Sequence, residues 1–299
     1  MVNSKHPWKA WIYLAPALAL LMVFTVWPII NTVRMALLEN YSGLKAAGGA
    51  TFQLGFGNFV KVLKYKKFLN CLKNTVLLGL GQIVFVFPCP IIFALLLNET
   101  KGRFKRASQT ILYAPHFLST VVVVGMINTM LSPSFGVVNT IIEALGGERI
   151  YFMTMPGAFR HLYVWSGVWQ GMGWGAIIYL AALAAVDPEL HEAATIDGAS
   201  RIQRIRYINI PTIVPTIIIL LIMRMGSLVS VGYEKVYLLQ NDLNVEVSEV
   251  ISTYVYKRGL LQNNYSFSTA VGLFNNVVNI ALLLITNFIT RRVSDTSLF

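Results

Sequence analysis

The sequence predicts an all-α, polytopic membrane protein with six transmembrane helices. Hydrophobic residues make up 56% of the 299, and charged residues only 12%, about half the charged share of an ordinary soluble domain. The mean hydropathy is +0.62. A soluble protein of this balance would expose large apolar patches and aggregate, whereas a lipid-facing surface is expected to be apolar. The third observation is spacing. Apolar segments near the ~20 residues needed to cross a hydrocarbon core recur along the chain.

In order, the segments run Ala10–Thr32 (ending at Arg34), Thr75–Leu97, Ile111–Leu131, Tyr163–Val186, Ile213–Val231 and Ala270–Ile289. The first is longer than the apolar core of a signal peptide, and no small-residue cleavage site follows it. It is therefore expected to be a retained helix. Cys71 precedes the second segment and Cys89 lies within it. A helix between them would separate them by roughly 27 Å, beyond disulfide reach.

The formal net charge is +11. The basic residues sit in short stretches between apolar runs, a pattern of membrane orientation rather than of nucleic-acid binding. Six spans put both termini on one side. With both inside, the inner segments carry Lys5, Lys9, Lys101, Arg103, Lys105, Arg106, Arg201, Arg204, Arg206, Arg291 and Arg292. The outer segments carry a similar number, including Lys45, Lys61, Lys64, Lys66, Lys67 and Lys73. Density decides for cytoplasmic termini, because the inner loops are roughly half as long as the outer ones. The short Lys101–Arg106 connection is the clearest inside signal.

The outer stretches are long. Glu39–Leu72 holds Gly43, Gly48, Gly49, Gly55 and Gly57 with Phe52, Phe56 and Phe59, and Lys61–Lys73 reads as a basic amphipathic surface helix. Ser132–His161 opens on a turn signal, and Tyr233–Ser268 is polar and rich in Asn and Tyr. Such segments can dock an extracytoplasmic partner or simply connect spans.

The most informative stretch is the connection between the fourth and fifth segments, residues 187–215. Asp187 is a good N-cap and Pro188 suits the first helical turn. Glu189 and Glu192 suit the positive end of that helix. Gly198 permits a turn that other residues would strain. Ser200 caps a second short helix carrying Arg201, Arg204 and Arg206, with Pro211 and Pro215 marking its end and the entry into span five.

Glu192-Ala193-Ala194, three residues, Gly198, nine residues and Ile208-Asn209-Ile210-Pro211 resemble the EAA loop of binding-protein-dependent ABC importer permeases. The departure within the pattern is Ile210 for the usual Leu. The resemblance implies the type-1 ABC importer transmembrane fold. It also implies that the first short helix is a coupling helix seated in a cleft of an ATPase subunit. Ala193 and Ala194 would allow close approach, Glu192 a charged contact, and Gly198 the angle between the arms. Glu189, Asp197, Arg201, Arg204, Ile208 and Pro211 complete the expected coupling loop, 187–211. Such coupling needs a two-state element biased from both ends.

Gly232–Leu239, Ser248–Tyr256 and Ser268–Leu273 look like the carbohydrate permeases of the maltose-type superfamily, most of all the complex-oligosaccharide and uronate branch. The resemblance implies a cytoplasmic N-terminus (1–9), a first span (10–33), an extracytoplasmic segment (34–72), a five-helix type-1 domain (73–291) and a cytoplasmic tail (292–299). It implies a second, related permease, two ATPase subunits that bind the ATP and Mg, and an extracytoplasmic solute-binding protein.

A sugar path needs hydrogen-bonding groups and aromatic faces. Trp169, Gln170, Trp174, Arg224, Asn275, Asn276 and Asn279 lie within the spans. A central Arg costs about 2.5–3.5 kcal/mol on insertion scales. Arg224 therefore either lines a watery path that favours polar or acidic sugars, or serves a structural pair. Trp169 and Trp174 fit a path or the interfacial aromatic belt equally, and the asparagines fit a path or interhelical bonds.

No phosphate-loop pattern and no nucleophile elbow occurs. His6, His116, His161 and His191 are scattered without metal spacing. Neither a catalytic site, a metal site nor a cofactor bound by this chain is expected. The alternative reading is a secondary transporter driven by an ion gradient, which would favour inverted repeats and ionisable relays.

Overall fold

The computed structural model describes residues 7–39, 41 and 53–293. Lys5, the stretch with Gly43, Lys45, Gly48, Gly49 and Phe52, and the tail from residue 294 lie outside the described residues. Among the described residues the architecture is helical, and the β structure is a single antiparallel bridge, Leu38–Leu54. Among the described residues four helices are long and apolar enough to cross a membrane, or up to six spans if each of two bent pairs counts as one.

The chain forms two compact units, residues 1–68 with 254–276 and residues 69–253 with 277–299. In the first unit, α1 runs through Pro7–Leu21, a π turn Met22–Val26, and Trp27–Leu37. Its side chains from Trp11 to Arg34 are mostly exposed, as expected of a lipid-facing span, and Ala36 is buried. Asn58, buried at the start of α2 (Gly57–Lys64), donates from Nδ2 to the Ala36 and Leu38 carbonyls, both at 2.9 Å. That bond satisfies carbonyls that the end of α1 leaves without helical partners.

The amphipathic helix expected over residues 61–73 is instead divided. Tyr65 is extended (φ −84°, ψ 109°) between α2 and α3 (Lys66–Asn98). Its ring meets Phe267 edge-on, and its hydroxyl accepts a hydrogen bond from Arg258 at 3.1 Å. Those contacts hold Tyr65 out of the helix.

Among the described residues four π turns occur, and three of them stand just before a proline. Trp27, Phe87 and Ile210 bond five residues back, to Met22, Gln82 and Ile205, and Pro28, Pro88 and Pro211 follow immediately. A proline has no N–H to donate and its ring presses on the carbonyl four residues earlier. The wider turn removes that conflict without ending the helix. Pro211 therefore does not terminate a separate short helix. The second arm of the loop is the first turn of α9 (Arg201–Met225), one continuous span.

The apolar run 111–131 is not a single helix, as the sequence suggests. α4 (Gly102–Tyr113) tightens into a 3-10 turn, Ala114–Phe117, and then bends by 101° into α5 (Thr120–Met130). Pro115 favours the tight turn. Leu118 is extended, and Ser119 Oγ accepts from the Val122 N–H at 3.3 Å, starting a new helix. The fifth span is shorter than expected, ending at Met225 rather than Val231. Asn279, buried on α13 (Tyr265–Val293), explains the stop. Its Oδ1 accepts from the Val229 N–H at 3.2 Å and its Nδ2 donates to Ser230 Oγ at 2.7 Å. These bonds hold the turn that leads away from α9.

α7 (Pro156–Leu183) is the axis of the second unit. One cluster on it joins Phe159, Tyr163 and Val164 with Leu78, Val124, Val231, Val236, Leu239 and Val250. The other joins Ala176, Tyr179 and Leu183 with Ala94 and Ile213. Gly173 allows the backbone of α4 to pass, because a Cβ there would collide with the Leu112 carbonyl. Two of the connections expected outside the membrane, 132–161 and 233–268, carry short helices. In α6 (Val137–Ala144), buried Asn139 donates to the Leu131, Ser132 and Ile150 carbonyls at 3.0–3.1 Å. Further on lie α10 (Tyr233–Leu239), α11 (Val245–Ser248) and α12 (Ile251–Tyr256). Asn241 and Asn244, between α10 and α11, both donate to the Met153 carbonyl.

Candidate functional site

The loop after α7 folds as its residues dictate. Asp187 caps α8 (Pro188–Ile196), its Oδ1 accepting from the Glu189 N–H at 3.0 Å. Pro188 occupies the first turn, where its missing N–H is harmless. α8 ends in a Schellman motif around Gly198, whose φ is +77°. The Gly198 N–H bonds to the Thr195 carbonyl at 3.1 Å and the Ala199 N–H to the Ala194 carbonyl at 2.9 Å. Ser200 then makes a capping box with Gln203 and starts α9. Arg204 Nη1 donates to Thr195 Oγ1 at 2.7 Å and ties the two arms together.

The result is a hydrogen-bonded elbow with an uncovered face. Glu189, Glu192, Ala193, Asp197 and Arg201 are exposed, while Ala194, Arg204 and Ile208 are half-buried. Apolar side chains also stand in the open. Ile196 is 87% exposed, Ile202 77% and Leu190 54%. A cavity of about 490 Å³ separates α8 from the turn after α3, between Glu99 and Lys101 on one side and His191, Glu192, Thr195 and Arg204 on the other. The elbow can offer charge and apolar surface together to a partner, and it lies at the start of α9.

The residues expected to line a path are dispersed. Gln170 Nε2 donates to the Leu118 carbonyl at 2.9 Å. Trp174, one turn further along α7, stacks on His116 with centroids 4.5 Å apart. Both residues thus support the bend between α4 and α5. Trp169 borders an apolar cavity of about 520 Å³ with Trp165, Met126 and Met130. Asn279 is committed to the turn after α9. On α13 Asn275 is half-buried and Asn276 exposed, and they belong to the other unit.

Arg224 has different company. Its Nη2 donates to Gln82 Oε1, and Gln82 Nε2 donates to the Tyr163 hydroxyl at 2.9 Å. Lys235 on α10 lies over the Tyr163 ring, its Nζ 5.5 Å from the centroid. Burial pushes the Lys235 ammonium down to about 8. Gln82, Tyr163 and Lys235 were not among the residues singled out from sequence. Gln82 was visible as the lone amide in the apolar run 75–97, and Lys235 as a base next to Glu234 just beyond the fifth apolar segment. Their convergence on Arg224 was not visible. Among the described residues no group of His, Cys, Asp and Glu is placed to hold a metal ion.

The family described as binding-protein-dependent transport system inner membrane component matches residues 86–295. Protein LplB of Bacillus subtilis (strain 168) is 40% identical over 292 residues, 97% of this chain and 91% of LplB. The polygalacturonan/rhamnogalacturonan transport system permease protein YteP of the same organism is 40% identical over 82% of this chain and 77% of its own. A solved structure of a bacterial ABC transporter involved in the import of the acidic polysaccharide alginate contains a similar chain, with a TM-score of 0.88 and 38% identity over 97% of both chains. The same similarity, over 98% of both chains, holds for the bacterial alginate ABC transporter in complex with an alginate pentasaccharide-bound periplasmic protein.

Proposed function

We propose, since this chain belongs to the binding-protein-dependent transport system inner membrane component family, that it forms one side of the translocation path of an ATP-driven importer for a carbohydrate. The observation that carries the coupling role is the elbow around Gly198, with its exposed Glu192 and its open Leu190, Ile196 and Ile202. A single chain that leaves such side chains uncovered on a capped helix is suited to a partner's cleft. That partner is an ATPase subunit, two copies of which bind ATP and Mg. A second, related permease completes the path, and an extracytoplasmic solute-binding protein delivers the sugar. The relatives named for polygalacturonan and alginate support an oligosaccharide, and the complex with a periplasmic protein supports delivery by one.

In this reading both termini and the elbow face the cytoplasm, in line with the basic density of the inner connections. ATP-driven closure of the ATPases pushes α8, and Gly198 passes the movement into α9. The partner engages a state of the elbow, and the spans respond only as far as its affinity differs between the two states. Arg224 is then a path residue at the far end of the same helix, because α9 joins the elbow directly to it.

Purification of the chain with its genomic neighbours, followed by an oligosaccharide screen, tests the reading. ATP hydrolysis that rises only with a sugar-loaded binding protein is the expected result. Uptake that follows an ion gradient and ignores ATP would end it.

A further inference from the structure

The polar group around Tyr163 has an unusual charge balance. Arg224 and Lys235 both approach this one tyrosine, Arg224 through Gln82 at the hydroxyl end and Lys235 across the ring face. Neither cation has a carboxylate partner among the described residues. Uncompensated cations that are partly withdrawn from water are costly, and proteins ordinarily pair them. Gln82 and Tyr163 are neutral, so they orient the two cations without neutralising them. Gln82 also sits at the start of the π turn in α3, where the helix is locally widened before Pro88. The surrounding side chains, Val164, Val231 and Val236, are apolar and buried. Nothing there competes for an anion.

The geometry points to a carboxylate-recognition site formed by Lys235 and Arg224 on either side of the buried Tyr163, which receives the carboxyl group of a uronic-acid unit. This rests on the carbohydrate-import reading and narrows it to acidic oligosaccharides. The roles differ. Arg224, held by Gln82, offers its remaining guanidinium N–H donors in a fixed plane suited to a carboxylate. Lys235 is a flexible point charge on a helix outside the spans and can meet the ligand first. Gln82 is a positioning residue. Burial pushes the Lys235 ammonium down to about 8, which agrees with this, since a desolvated cation gains from a carboxylate brought against it.

The test uses the full importer, with its binding protein, in proteoliposomes. The probes are trimers of galacturonate, glucuronate and mannuronate, each beside its carboxyl-reduced counterpart. The wild type should import at least one uronate trimer. Lys235→Gln and Arg224→Gln should slow that import by about tenfold or more, the loss of one charge-assisted contact, with the reduced trimer unaffected. Lys235→Arg should restore most of it. A second measurement needs no variant. Labelling of Lys235 by an amine reagent, read by mass spectrometry, should be slowed by the uronate and not by its reduced form. Equal slowing of both trimers, unchanged uronate import in the variants, absent protection, or a wild type that imports only neutral trimers would each overturn the site and leave the importer reading standing. ATP-dependent import of no oligosaccharide of either kind would instead remove the carbohydrate reading, and the site with it.

Discussion

At Gly198 the backbone has a φ of +77°, and a Cβ added there would meet no atom within 4 Å. Replacement by Ala therefore tests backbone strain and nothing else, at about 1–2 kcal/mol. Gly198→Ala should lower uptake per ATP hydrolysed while leaving complex recovery unchanged. Gly198→Asn, which tolerates this conformation better, should keep more of the coupling, and paired uptake and ATPase assays read the difference. Lys235 gives a second residue-scale expectation. Its usual value of 10.5 falls to about 8 because burial disfavours the ammonium. The folded protein therefore releases this proton before the unfolded chain does. Between about pH 8 and 10.5 the unfolded state binds more protons, so Lys235 makes stability rise with pH. Thermal melts of wild type and Lys235→Met across that window check it, with the variant losing this rise. Sequence singled out Gly198 by spacing, and the structure supplied the Schellman bonds that explain it. Lys235 was passed over, because its partner Tyr163 lies more than seventy residues away.

Between elements, close backbone approach decides where helices can lie. α4 crosses α7 at Gly173, where a side chain would strike the Leu112 carbonyl. A carbonyl cannot swing aside as a side-chain tip can. Gly173→Ala should therefore cost about 1–3 kcal/mol by overpacking, read as a lower melting temperature of the purified complex. Gly171, on the same helix with open space around it, should accept Ala without loss. The helices also show how far apolar length can be trusted. The run 111–131 was long enough to span, yet Pro115 and Ser119 divide it. The run to Val231 continued past the helix end, because hydropathy is blind to the bonds from Asn279. Conversely, Pro211 looked like a helix stop and was absorbed by a π turn.

For the whole molecule the question is what covers the elbow. Ile196, Ile202 and Leu190 are open in the single chain. Ile196→Lys should abolish co-purification of the ATPase subunits while the permease still inserts into the membrane, measured by affinity capture and membrane fractionation. Cysteine crosslinks from position 192 should capture the same subunit. Class, helical architecture and the two-armed elbow around Gly198 were all legible in the amino-acid sequence, because they rest on local matters: hydropathy over the length of a span, the caps at Asp187 and Ser200, and the glycine between them. The meeting of Arg224 with Gln82, Tyr163 and Lys235, the employment of Gln170 and Trp174 at the α4–α5 bend, and the diversion of Asn279 to a turn were decided by the tertiary structure alone. A polar side chain in an apolar helix must find some partner, but which one depends on the neighbouring helix, and neighbours are chosen by packing across the fold rather than by adjacency along the chain.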